Sequence, residues 1–260
     1  MGVLPRPVVL QPKDTPMKYL LTILLLTSYL SHAQTEDTVR VKAFTSIITS
    51  PRVHLVLLEG PVPQVRIVCN GVPRSKVNIK QNGNTLRIFL DHARVLEKQV
   101  RYSLHGAKRP IYEGTSVTAY VTYQKLNSIQ MRGSESLIAS STIHGDKLKL
   151  KLYGVTEVDL HGLDVDKFKA SLFGENRLSI RGGHANVQVY RLFGDNSIDT
   201  HALQSTVATT RIYGEGKVRI ATRDALHVHA FGEPQIRVTG MPLITRGVIL
   251  GRLDIRNDRE

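Results

Sequence analysis

Five aromatic residues, each followed by glycine, recur at a nearly constant interval in the second half of the chain. They are Tyr153, Phe173, Phe193, Tyr213 and Phe231, separated by 20, 20, 20 and 18 residues. Each follows an apolar residue, so strict alternation along a strand would turn the aromatic side chain outwards. An exposed aromatic strip could stack on sugar rings or receive a protein partner. The alternative is a ladder of rings at a corner, which would stabilise the register of the chain.

Charged residues recur with the same period on either side of the glycine. The candidate basic row before it is Lys151, Arg191 and Arg211, and the acidic row after it is Glu175, Asp195, Glu215 and Glu233. Like charges about 5 Å apart are unfavourable unless they are compensated. Calcium could compensate the carboxylates, but the chain lacks the glycine- and aspartate-rich nonapeptide of calcium-binding β-rolls. We therefore expect nearby bases, which also include Arg177 and Lys217, to neutralise the acidic row.

Paired carboxylates could cleave a polysaccharide, because glycoside hydrolysis uses two carboxyl groups about 5 to 9.5 Å apart. The candidates are Asp159, Asp195 and Asp199. Ser179 and Arg219 fill the equivalent repeat positions in other copies, as expected of a solvated surface. The sequence therefore predicts no catalytic residue, and a polysaccharide-active lyase or glycosidase is the alternative.

Histidine and cysteine offer weaker chemistry. His161 and His201 share a repeat position but lie two copies apart, about 9.6 Å if the copies stack, which is too far to bind one metal. His227 and His229 alternate towards one face but lack a third ligand. Cys69 is the single cysteine and has no Cys/His signature around it. We predict no metal site and no cofactor.

The residues around each glycine predict the elements that position these rows. Apolar residues stand two before the glycine and four after it, and mostly again six after it, with Thr200 the exception. Polar residues alternate with them, which is typical of short β-strands. A repeat of about twenty residues buries its apolar face only when successive copies stack about 4.8 Å apart. We therefore predict an all-β fold, a right-handed parallel β-helix (a β-solenoid) with coils of about 20 residues. An antiparallel sandwich would not explain the constant register.

One domain is predicted over residues 34–260. Residues 40–125 contain strand-like runs with a blurred repeat, and we interpret them as irregular first coils or a capping hairpin region. Within them, Leu96 to Gly114 is basic and is expected to be a long surface loop. Residues 126–240 form the regular repeat array, and residues 241–260 are its C-terminal end.

The N-terminal segment predicts export. Residues 17–33 contain basic Lys18, a short apolar run, and small residues at Ser31 and Ala33, which together are typical of a secretory signal peptide cleaved after Ala33. The apolar run is too short to span a bilayer. Residues 1–16, with four prolines, precede the methionine at which such a signal would begin and are interpreted as an over-long start. We expect a product in the periplasm, on the outer surface or secreted, with no transmembrane segment in the mature chain.

The charge balance indicates the class of partner. Thirty-five Lys and Arg against 22 Asp and Glu give a net charge of +13, and removal of residues 1–33 leaves +11. Such a balance favours nucleic acid, anionic lipid or acidic polysaccharide as a partner. Export argues against nucleic acid. The single cysteine excludes a disulfide scaffold, so stability must come from an apolar core.

The chain resembles a known family. The signal peptide, alternating strands that follow Phe44–Ile47 (FTSI), glycine-centred repeats and the closing Val238–Pro242 (VTGMP) are similar to the auto-transporter adhesin head, or GIN-domain, family of exported bacterial β-helix proteins. The resemblance covers about residues 40–256. Small-residue triplets typically form the repeat corner in that family, whereas here the corner is aromatic-Gly-acidic. The resemblance implies an envelope protein of a Gram-negative organism with a role in adhesion, and it brings no catalytic residues.

Together these features favour a non-enzymatic exported β-solenoid that binds or scaffolds at the cell envelope through its repetitive faces. The expected partner is an acidic glycan, another envelope polymer or a surface protein, held in part by diffuse attraction that salt weakens. End-to-end polymerisation is a third alternative if the terminal coils are uncapped. The sequence leaves the oligomeric state open.

Overall fold

A computed structural model describes residues 36–101 and 106–258 of the chain. Residues 1–16 and the predicted signal peptide at 17–33 lie outside the described residues. Within them the chain is built from β-strands, with one 3₁₀ turn at Arg74–Lys76 and no α-helix.

In the described part of the chain, the strands form an N-terminal group followed by a regular array. The N-terminal strands are β1 Glu36–Arg40, β2 Ser46–Thr49, β3 Val53–Glu59, β4 Gln64–Asn70, β5 Val77–Asn82, β6 Thr85–Leu90, β7 Gln99–Arg101, β8 Lys108–Pro110 and β9 Ser116–Tyr123. The array comprises β10 Ser128–Gly133, β11 Ser136–Gly154, β12 Glu157–Gly174, β13 Arg177–Ile180, β14 Gly183–Phe193, β15 Asn196–Thr200, β16 Val207–Tyr213, β17 Gly216–Ala221, β18 Ala225–Gly232, β19 Gln235–Thr239, β20 Leu243–Gly251 and β21 Asp254–Asn257.

Each central coil of the array has three faces. In β12 they are face A (residues 157–160), face B (162–165) and face C (167–173), and a glycine corner separates face C from the next face A. Each face pairs in parallel with the residues twenty positions along the chain, such as Leu172 with Leu192 on face C. The predicted parallel β-solenoid with coils of about 20 residues is therefore confirmed.

The predicted apolar columns form the core. On face C the column is Leu152, Leu172, Leu192, Ile212 and Ala230, and on face A it is Val158, Leu178, Ile198, Val218 and Ile236; all of these residues are buried. Thr200, the polar exception, is also buried. Its hydroxyl lies 2.9 Å from the Tyr190 hydroxyl and donates to the carbonyl oxygen of Arg219 at 3.2 Å. The interior accepts this polar residue because its hydrogen bonds are made there.

The glycine corner requires glycine for two reasons. Gly154, Gly174, Gly194 and Gly214 all have φ between +100° and +122°, where side chains are strained. The coils also approach closely there, since a Cβ built on Gly174 would lie 2.2 Å from the carbonyl oxygen of Gly154. The repeated glycine is therefore a condition of coil stacking.

An asparagine ladder follows the corner. Asn196 Oδ1 accepts hydrogen bonds from the backbone N–H and the side-chain amide of Asn176, at 3.2 and 3.0 Å. Asn176 Oδ1 in turn accepts the backbone N–H of Thr156 at 3.1 Å. These buried side chains satisfy backbone groups where the chain leaves the sheet.

The N-terminal coils stack out of chain order. β2 pairs with β6 on one side and with β10 on the other, and β3 lies likewise between β9 and β11. The first coil of the chain is thus enclosed between two later ones. Beyond it, β4 pairs antiparallel with β9, β1 with β4, and β5 with β6. Antiparallel strands therefore close this end of the stack. The basic segment expected as a surface loop contains the antiparallel pair β7 and β8.

We predict that Gly174→Ala lowers the free energy of unfolding by about 2 kcal/mol or more, because the new methyl group meets a backbone oxygen at a positive φ. Denaturant unfolding followed by circular dichroism measures the change. The matched control is Gly182→Ala, where a Cβ would have no atom within 4 Å. Equal stability of the two variants would contradict the close approach of the coils.

Candidate binding face

The five aromatic residues form one continuous stack along the edge of face C. Adjacent rings lie 4.7–4.9 Å apart between centroids and within 8° of parallel, in the order Tyr153, Phe173, Phe193, Tyr213, Phe231. The spacing is that of the coils, so the backbone ladder sets the ring contacts. This is the geometry of the register-stabilising ladder that the sequence left as one alternative.

The faces of these rings are occupied. Within the stack each ring covers its neighbours, and the guanidinium of Arg132 lies 4.6 Å from the centroid of Tyr153 at one end. Phe231 pairs in register with Leu250 at the other end. Solvent reaches mainly the ring edges, and Tyr213 is 38% exposed. A sugar ring stacking flat on this row would have to displace an existing contact.

Beside the aromatic stack, the outward positions of face C carry basic rows. The predicted row Lys151, Arg191 and Arg211 is aligned by the register of β11, β12, β14 and β16, with Ser171 between the first two. Four further lysines lie on the next two rows, where Lys147 pairs with Lys167 and Lys149 with Lys169. Arg87 and Arg132 extend the same face towards the N-terminal end.

None of these nine bases forms an ion pair with a described residue, and none of the outward side chains of face C over β10–β18 is a carboxylate. Face A differs, because its charges pair with one another. Arg181 pairs with Asp159, and Arg219 with Asp199 at 3.0 Å. The positive charge of the described chain is therefore least compensated on face C.

The electrostatics of two side chains record this crowding. Partial burial, followed by the neighbouring cations Arg191, Lys149, Lys167 and Lys151, holds the pKa of Lys169 below its usual value. Partial burial, together with Arg94 and Arg132, likewise lowers the pKa of Arg87. Both shifts mean that a further positive charge is unfavourable there, so an incoming anion would be favourable.

The acidic row lies on the corner between face C and face A. Glu175, Asp195, Glu215 and Glu233 are exposed, and none of them has an ion-pair partner within the described residues. The expected neutralisation by direct pairing with nearby bases is therefore wrong, because Lys151, Arg191 and Arg211 lie beyond the aromatic stack. Water screens these exposed carboxylates instead. No group of three or more His, Cys, Asp or Glu side chains in the described chain is placed to hold a metal ion.

The remaining candidates have structural surroundings. The Asp199 carboxylate contacts His201 Nδ1 at 2.5 Å as well as Arg219; burial acts to raise its pKa, but these two partners outweigh burial and lower it. His227 and His229 do face the same way, on face C, and His229 Nδ1 accepts the backbone N–H of Val248 at 3.3 Å. Burial raises the pKa of the Cys69 thiol, which disfavours the reactive thiolate.

Two features were missed by reasoning from the sequence. The alternating lysines at 147–151 and 167–169 repeat at the 20-residue period and could have been found from it. Glu135 could not, because it occupies the same inward column as Asn176 in an irregular coil. Burial raises the pKa of its carboxyl, although the Ser134 backbone N–H donates to it at 2.7 Å.

Comparisons with known proteins agree with the fold. A family model described as "Putative auto-transporter adhesin, head GIN domain" matches residues 43–242. The structure is similar to that of a putative adhesin from Bacteroides fragilis, with 17% identity, a TM-score of 0.69, and coverage of 87% of this chain and 98% of that one. It is also similar to a putative adhesin from Parabacteroides merdae, with 16% identity, a TM-score of 0.63, and coverage of 88% and 98%. A putative lipid binding protein from Parabacteroides distasonis matches at 14% identity, with a TM-score of 0.63 and the same coverage. No curated protein matches the sequence.

We predict that Phe193→Ala lowers the free energy of unfolding by about 2–4 kcal/mol, since the ring stacks on both neighbours. Phe193→Leu keeps most of the apolar volume and should lose clearly less. Thermal and denaturant unfolding measure both changes. If alanine and leucine proved equally mild, the stack would not be contributing to stability.

We also predict that Glu135→Gln raises the stability of the protein at neutral pH. The folded pKa of this carboxyl is raised above its ordinary value of 4.5, so its contribution to stability declines as pH rises through that interval. The advantage of the glutamine variant should therefore shrink as the pH falls towards 4.5. Unfolding curves over a pH series test this, with Glu157→Gln, an exposed carboxylate on the next coil, as the control. A gain that is constant with pH would contradict the assignment.

Proposed function

The chain belongs to the family of auto-transporter adhesin heads with a GIN domain, and on that premise we propose that it is a non-enzymatic binding protein of the cell envelope. Face C is the proposed binding surface, and an acidic polysaccharide is the proposed ligand. Export through the predicted signal peptide at 17–33 would place the protein where such polymers occur. In the described chain, no helix is long and apolar enough to cross a membrane.

One observation carries the proposal, namely the unpaired basic rows of face C. The bases extend from β6 to β16, which is seven stacked coils and about 29 Å along the axis at the spacing of paired strands. A polymer with regularly placed negative groups can meet several of them at once. A flat, open array of this kind suits an extended ligand better than a small molecule, which needs a concave pocket.

A binding role also agrees with the state of the carboxylates considered for sugar cleavage. Asp159 and Asp199 are ion-paired on face A, away from the basic rows. Asp195 lies on the exposed corner without a described partner. Neither arrangement sets a protonated acid opposite a charged base across a groove, which glycoside cleavage needs.

The aromatic stack has a supporting role in this proposal. Its rings lie beside the basic row, and their edges form an apolar border to face C. Because the ring faces are occupied, we assign the binding energy to the cations and the alignment of the cations to the stack. The rows remain in register only while the coils do.

We predict that the triple variant Lys151→Gln, Arg191→Gln, Arg211→Gln binds polygalacturonate about tenfold or more weakly than the wild type, since three unpaired cations are removed from one row. Binding is measured by isothermal titration calorimetry at low and high salt, and the wild-type affinity should fall with salt. Neutral dextran should not bind.

The control removes the same charge from face A by Arg177→Gln, Lys217→Gln and Arg237→Gln. It should stay within about twofold of the wild type, because those residues lie on the other side of the corner. Equal losses in the two triple variants would reduce the interaction to net charge and remove face C as a site.

A further inference from the structure

A shallow depression interrupts face C near its N-terminal end. It has a volume of about 360 Å³, and Lys147, Lys149, Lys167 and Lys169 line it. We call these four residues the lysine quartet. Ser46 and Ser128 also border the depression, on the row that continues into Lys149 and Lys169.

The register of the coils arranges the quartet as a rectangle. Lys147 pairs with Lys167 and Lys149 with Lys169 on adjacent coils, about 4.8 Å apart. Along each strand the two lysines are two residues apart, about 6.6 Å. The buried Leu148 and Phe168 lie between them and anchor both strands. Four ammonium groups therefore border one small depression, on a rigid part of the fold.

Nearby carboxylates do not neutralise the quartet. Asp146 precedes Lys147 but pairs with Lys125 at 2.9 Å, which lowers the pKa of Asp146. Asp166 precedes Lys167, and its carboxylate accepts the side-chain amide of Asn186 at 3.2 Å. None of the four lysines has an ion-pair partner among the residues described. The site is complementary to an anion with more than one charge.

We infer that the lysine quartet is a recognition site for a compact doubly charged oxyanion, a phosphate or sulfate group carried as an ester on the bound polymer. This inference rests on the proposed function and narrows it, because it distinguishes esterified glycans from glycans that bear only carboxylates. A carboxylate offers two oxygens and one charge. A phosphate ester offers three terminal oxygens that can accept from several ammonium groups at once, and the serine hydroxyls can donate to the same group. Lysine, a compact charge on a flexible stem, suits such a group in an open depression.

The test compares three small ligands of similar size at equal ionic strength: glucose 6-phosphate, glucose 6-sulfate and glucuronate. Binding to the folded protein raises its melting temperature, so thermal unfolding with each ligand reports the preference. We expect a clear rise with the phosphate and the sulfate and at most a third of that rise with glucuronate. Equal rises for all three would overturn the inference.

Two variants locate the effect. Lys149→Gln with Lys169→Gln should abolish the rise caused by glucose 6-phosphate, whereas Arg177→Gln with Lys217→Gln on face A should keep it. Retention of the rise in the quartet variant would place the ester elsewhere and overturn the assignment. Circular dichroism of both variants checks that the solenoid is intact.

Polymer and lipid arms separate this inference from the proposed function. Wild-type protein that binds polygalacturonate but shows no ester preference would leave the proposed function standing and remove the quartet as an ester site. Absence of binding to either would remove both. Vesicles containing phosphatidic acid test the other source of a phosphate ester. Quartet-dependent binding to the vesicles without any response to glucose 6-phosphate would overturn the assignment to a polymer.

Discussion

Backbone hydrogen bonding between coils, at one fixed spacing, is the constraint on which the rest of the structure depends. Because the chain returns to the same place every 20 residues, each residue type repeated at that period becomes a column about 4.8 Å apart. Apolar columns become the core, and the aromatic residues before the corner become a stack. The positive-φ glycines keep this spacing where the coils are nearest one another, at the corner.

The same spacing that favours stacked rings is unfavourable for stacked charges, and the three parts of the surface differ in how they meet that cost. On face A, acids and bases alternate along the axis and pair, as with Arg219 and Asp199. At the corner, exposed carboxylates rely on water. On face C, bases such as Lys149 and Lys169 lie side by side with no described acid between them. Unrelieved repulsion in a folded protein is a local cost to stability, which selection tolerates where binding needs it. For that reason face C, and not the acidic row, was chosen as the functional surface.

Burial explains why other reactive groups of the chain have quiet roles. Tyr190 is buried inside the solenoid, where desolvation raises its pKa and its hydroxyl contacts Gln188 and Thr200. These hydrogen bonds let polar residues interrupt apolar columns without leaving unsatisfied groups. The half-buried Cys69 and the paired Asp199 are likewise part of the scaffold. The chemistry that face C offers is charge and shape, presented on a rigid rod.

The sequence by itself determined the repeat, and with it the parallel stacking, the inward apolar columns, the glycine corner and the outward basic row. It could do so because a fixed period of 20 residues converts position in the chain directly into position in the coil. Only the tertiary structure decided the order of the first coils, since pairing of β2 with both β6 and β10 joins segments whose patterns are too irregular to align. It also decided that the aromatic faces are covered and that the acidic row is unpaired. Those properties depend on which side of a corner a side chain lies, and alternation along one strand carries no information about that.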